Sequence, residues 1–127
     1  MNNELKKEIY DFLKTKVNNV YFKEAPSKAS FPYVVFDLTN SINVVNNRED
    51  YVLEITLWDK TQDTTNIDNI RDSINGNANI FNPTGLDRLK IKLNTNIATC
   101  NKEAQYNTLD PEKNIERRQI NYIIKLF

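Results

Sequence analysis

Residues 51–58, Tyr-Val-Leu-Glu-Ile-Thr-Leu-Trp, alternate between two environments. In an extended chain Tyr51, Leu53, Ile55 and Leu57 project to one side, and Val52, Glu54, Thr56 and Trp58 to the other. Such a strand buries one face and must be covered there by a second layer. Two segments have the period to supply it. Leu5, Ile9, Phe12, Leu13 and Val17 recur at helical spacing behind a cap at Asn2 or Asn3. Ile67, Ile70 and Ile74 form a second stripe, opened by Thr61 or Asp63 and stopped by Asn75-Gly76.

Further strands are expected around this frame. Val20-Tyr21-Phe22 reads as a short extended piece, and residues 31–38 as a strand entered through Pro32. Residues 39–50 are mostly polar and read as the tip of a long hairpin turning at Asn46-Asn47. Leu89, Ile91 and Leu93 begin one strand continuing to about Cys100, after which residues 106–114 read as a loop. In the last strand Arg118, Ile120, Tyr122, Ile124 and Leu126 share one face, opposite Arg117, Gln119, Asn121, Ile123 and Lys125. The expected fold is a single α+β domain over residues 1–127. It has two layers: a mostly antiparallel sheet of about four to five strands with a long hairpin, packed on one face by two helices. The other face carries Tyr33, Val35, Val52 and Trp58, so it calls for a cover such as another subunit.

Composition narrows the chemistry. Lys+Arg and Asp+Glu both number 17, which argues against a basic nucleic-acid arm or an acidic tail. No run approaches the ~20 apolar residues of a membrane span, and Met1-Asn2-Asn3-Glu4 carries no signal-peptide pattern. With no His, the common triads and the Cys–His pair are not available. The single Cys100 cannot form an intrachain disulfide or a multi-Cys zinc site and reads as a small buried residue. Gly76 and Gly85 make no phosphate-cradling loop. With glycine so scarce, Asn is expected to fill many turn positions of positive φ. Asp59, Asp63, Asp68 and Asp72 could in principle hold Mg²⁺ or move protons, but acids at a helix start and on a helix face are better explained by the dipole and by solvation. Arg117-Arg118 must point to opposite faces of a strand. One then approaches the helix layer and the other faces outward; they are either structural or rim arginines pairing with Asp110, Glu112 or Glu116, or they supply an inter-subunit ion pair.

The stretch Val20-Tyr21-Phe22, then Ala25-Pro26, then Phe31-Pro32-Tyr33-Val34-Val35-Phe36 resembles the opening of small tail proteins of long-tailed phages. The likeness continues in residues 51–59 and the isoleucine-spaced helix after them. It ends with Leu109-Asp110-Pro111-Glu112-Lys113-Asn114-Ile115-Glu116-Arg117-Arg118 and the closing strand. Together these motifs resemble the phage tail terminator family, also called tail completion or tail-to-head joining proteins.

The resemblance implies a virion protein of the tail–neck junction, assembled in the host cytoplasm, with no enzymatic activity, cofactor or metal. Such a protein docks on the tail tube, forms a hexameric ring, stops polymerisation and meets the head connector or stopper. Phage DNA passes through the ring without sequence-specific binding, and no membrane is involved. A monomer in isolation is compatible with this role. A closed ring needs two different complementary patches on each subunit. Asn46, Asn47, Arg48 and Glu49 in the hairpin tip, and Asp110, Glu112 and Arg117 near the last turn, are the candidate docking residues. A neck stopper, a head–tail adaptor and a small cytoplasmic binding module are the alternative readings.

Overall fold

The computed structural model describes residues 3–43, 48–60, 65–77, 83–110 and 115–127. In chain order they form α1 (Asn3–Lys14), β1 (Val20–Phe22), β2 (Tyr33–Asn43), β3 (Arg48–Asp59), α2 (Thr65–Asn75), β4 (Leu89–Lys92), β5 (Ile97–Asp110) and β6 (Ile115–Leu126). The strands make one six-stranded sheet in the order β1-β2-β3-β6-β5-β4. β1 lies parallel to β2, and the other neighbours are antiparallel.

The expected sheet of four to five strands is therefore corrected to six, within an α+β fold. The stretch read as one strand after Leu89 is two, folded back on each other so that Leu89 pairs with Cys100 and Lys92 with Ile97. Asn94, Thr95 and Asn96 carry turn chemistry inside it, and the Leu93 N–H donates to the Asn96 carbonyl at 2.9 Å. β5 then runs on to Asp110, through residues expected in a loop, and pairs with β6 from Tyr106↔Gln119 to Asp110↔Ile115. The ladder satisfies the backbone there whatever the side chains prefer. Likewise the long hairpin is paired well into its polar part, from Thr39↔Val52 to Asn43↔Arg48. The turn expected at Asn46-Asn47 and the caps expected at Thr61 or Asp63 lie outside the described residues.

The inner face follows from the alternation. Phe36, Ile55 and Ile120 stand in register across three strands, as do Leu53 and Tyr122, and all are fully buried. Leu5, Ile9 and Leu13 of α1 and Ile67 and Ile74 of α2 close over them in one core cluster, with Phe12 and Ile70 partly buried at its margin. Each fully buried side chain of this size contributes roughly 1.5–3 kcal/mol of transfer free energy. Cys100 is also fully buried, as expected, and burial, followed by the nearby Asp87 charge, pushes its thiol well above the ordinary range.

The chain's two glycines meet each other. Gly76 ends α2 at φ +81°, and a Cβ there would lie 2.2 Å from the Gly85 nitrogen. The contact lets the returning chain join the helix end, where the Leu86 N–H donates to the Ile74 carbonyl at 2.8 Å. The expectation that Asn supplies positive φ is not met among the described residues. The non-glycine positions there are Lys23 at 70° and Arg88 at 66°. Lys23 is held by its N–H donating to the Phe36 carbonyl at 2.8 Å, so sheet pairing rather than side-chain type sets that turn.

Candidate interaction surface

Arg117 and Arg118 leave β6 on opposite faces. Arg118 turns inward and is nearly fully buried at the rim of the core. Its Nε donates to Asp68 Oδ1 and its Nη1 to Glu116 Oε2, both at 2.8 Å. Burial alone would lower its pKa, but these two carboxylates outweigh it and hold the guanidinium more firmly charged than usual. Asp68 also lies 3.3 Å from Arg71, so it serves an ion-pair network joining α2 to β6. Asp59, considered for acid–base work, is buried at the end of β3, where its Oδ1 accepts the Lys60 N–H at 2.9 Å.

Arg117 turns outward onto an aromatic row. The register places Tyr33 opposite Trp58 and Trp58 opposite Arg117 on three adjacent strands. The Tyr33 and Trp58 rings stack at 6.2 Å with 24° between their planes, and the Arg117 guanidinium lies 5.2 Å from the Trp58 ring centre. Tyr21 meets Tyr33 edge-on at 6.1 Å, and Phe31 meets it at 5.3 Å. These contacts are favourable in themselves, and cation–π stacking fixes the plane of the guanidinium. Burial, and next Tyr21, push the Tyr33 phenol upward. A shallow cleft of about 280 Å³ opens beside this row, lined by Lys23, Glu24, Val35, Thr56 and Arg117 among others. Arg117 Nη2 donates to Gln119 Oε1 at 2.8 Å, while its buried Nε has no hydrogen-bond partner.

The other candidate docking residues lie elsewhere. Arg48 and Glu49 start β3, ten positions before Trp58, which is roughly 33 Å at ~3.3 Å per residue. Arg48 is paired with Asp50 at 2.7 Å and stacks 5.3 Å from the Phe127 ring. Glu49 Oε1 accepts from the Tyr51 hydroxyl at 2.7 Å and from Asn40 Nδ2 at 3.0 Å. The backbone of Asp110 ends β5 opposite Ile115. Asn46, Asn47 and Glu112 lie outside the described residues. The structure thus separates Arg48 and Glu49 from Arg117, at the two ends of the sheet.

Sequence reasoning put Tyr33 and Trp58 on the outer face but did not join them to Arg117, and it missed Tyr21, Phe31 and Lys23. The alternation of each strand was the available signal, whereas their cross-strand register is not local. Among the described residues, no three His, Cys, Asp or Glu side chains gather where a metal could be held, and no helix is long and apolar enough to cross a membrane.

The topology and this outer face define a small α+β domain built around one mixed sheet, with one face covered by helices and, among the described residues, no element over the other. The same fold occurs in a chain of a solved structure described as the virion of a native gene transfer agent particle. The two superpose with a TM-score of 0.67 over 98% of this chain and 95% of that one, at 11% sequence identity. No family model and no curated protein matches the sequence.

Proposed function

We propose that this protein is a structural component of a phage or phage-like virion that caps the tail tube as a ring, stops its polymerisation and joins it to the head connector. The observation that carries the reading is the fold shared, nearly end to end, with a chain of a gene transfer agent virion. The motif resemblance to tail terminators supplies the finer role. In this reading the protein works by contact alone, without catalysis or cofactor, and resides at the tail–neck junction of the virion.

The geometry supports assembly in a ring. Head-to-tail closure needs two unlike patches on each subunit. The Arg48–Glu49 end of β3 and the Trp58–Arg117 row lie at opposite ends of the sheet and differ in chemistry. An aromatic row on a rigid sheet also suits an interface, where aromatic residues and arginine are enriched.

Purified protein added to tube protein polymerising in vitro tests the role. Capping predicts short tubes bearing a ring at one end, in proportion to the protein added. An unchanged length distribution with no bound ring would contradict it.

A further inference from the structure

We propose that the cleft beside Trp58 and Arg117 receives a carboxylate side chain from an extended segment of a neighbouring virion protein, with an apolar residue of that segment against Tyr33 and Val35. Three observations lead there. First, Arg48, Arg71 and Arg118 each hold a carboxylate, whereas Arg117, like Arg88, makes no ion pair among the described residues, and of these two only Arg117 lines the cleft. Second, its fork has unspent donors: of five N–H groups one is used on Gln119, and the buried Nε is unsatisfied. A desolvated donor without a partner is costly, and a planar fork suits a carboxylate. Third, the site is preorganised. Trp58 stacks under the guanidinium, and the loop carrying Lys23 and Glu24 is pinned by N–H donation to the Phe36 and Phe22 carbonyls at 2.8 and 2.9 Å.

Charge decides the class of occupant. Lys23, Glu24 and Arg117 all line the cleft, and with the Lys23 ammonium 5.7 Å from the Phe22 ring, the planar Arg117 fork is the group that selects a single carboxylate. Asp37 and Glu54 stand directly opposite each other farther along the same face. A polyanion tracking across the sheet would meet them, so a nucleic-acid backbone is disfavoured. A second copy stacked sheet on sheet about a two-fold axis would bring Glu54 to the cleft, but such pairing does not build a head-to-tail ring. That a virion neighbour supplies the carboxylate rests on the proposed function; the carboxylate preference of the cleft does not.

The test uses 3-phenylpropionate, which pairs a ring with a carboxylate, and 3-phenylpropanamide as its uncharged control. Fluorescence of Trp58, the single tryptophan, and the NMR signal of the Arg117 Nε–H report binding at the site itself. The carboxylate should bind with a Kd on the order of millimolar, and the amide at least about tenfold more weakly. Arg117→Gln should weaken carboxylate binding about tenfold, and Lys23→Gln about threefold. Arg48→Gln at the far end should leave it unchanged. Lys23→Gln keeps the test open should Arg117→Gln not fold. Equal binding of acid and amide, or no loss in a folded Arg117→Gln variant, would overturn the proposal. So would displacement of the probe by duplex DNA, or self-association that Glu54→Gln abolishes. Because the probe needs no virion, failure of the tail role would leave this result standing, and the reverse also holds.

Discussion

Arg118 and Asp68 are 50 positions apart in the chain, yet Nε of one lies 2.8 Å from Oδ1 of the other. The bond crosses from the last strand to the second helix and closes the core at its rim. Because the arginine is almost wholly buried, it cannot exchange Asp68 and Glu116 for water. Arg118→Ala should take the arginine from Glu116 and leave Asp68 to Arg71, and should cost about 2 kcal/mol, less than a fully buried broken pair because Asp68 keeps a partner and is partly exposed. Denaturant unfolding measures it, and a loss below about 1 kcal/mol would make the network incidental.

Leu53 and Ile55 test the inner face. Both are fully buried between β2, β6 and the helices. Truncation of either to alanine should destabilise by ~2–5 kcal/mol. Val52→Ala, on the half-buried outer face, should cost clearly less in the same unfolding series.

Gly85 tests the crossing of the two glycines. A Cβ there would lie 2.4 Å from the backbone of Asn75 and Gly76, and backbone cannot swing away as a side chain can. Gly85→Ala should cost at least about 2 kcal/mol in thermal or denaturant unfolding. A neutral substitution would mean that the helix end yields freely.

Cys100 and Tyr122 predict an alkaline limit. The thiol of Cys100 and the phenol of Tyr122, whose hydroxyl donates to Asn75 at 2.9 Å, are both raised, in each case first by burial. A raised folded value means that the folded state keeps its proton while the unfolded state loses it. These groups therefore cost nothing below about pH 8.5, and stability falls above it as unfolded cysteine ionises. Each group adds a slope of about 1.4 kcal/mol per pH unit, and tyrosine joins near pH 10. Cys100→Ala should remove the fall between about pH 8.5 and 10 and leave the later one. A pH-independent stability up to about 10.5 in the wild type would contradict the burial of both groups.

Arg117→Glu separates assembly from folding. The side chain lies on the outer face, stacked on Trp58 and hydrogen-bonded to Gln119, so losing it should cost about 1–2 kcal/mol and leave the domain folded. Incorporation into particles, followed by complementation of a disrupted gene, should drop sharply. Normal incorporation of the folded variant would remove Arg117 from the docking surface.

The legible part of this fold is the periodic part. Leu5, Ile9 and Leu13, the alternation from Tyr51 to Leu57, and Ile120, Tyr122 and Ile124 carry their burial in their spacing, because one face of each element meets the core. Residues from Asn101 to Tyr106 carry no such signal. Gln105 stands opposite buried Ile120 yet is exposed, and Tyr106 is 52% exposed, so no burial period marks β5 as a strand there. Its partner strand decides its conformation, and pairing is not written locally. The same holds for the candidate site. Arg117 could be assigned an outward face from its neighbours, but the row Tyr33–Trp58–Arg117 exists only through the register of three strands.

The most direct test of the central claim is electron microscopy of particles whose copy of this gene is disrupted. A tail-capping ring predicts overlong or ragged tail tubes beside filled heads without tails, restored to normal length by the wild-type gene. Tails of normal length beside leaking heads, or ordinary infectious particles, would contradict it.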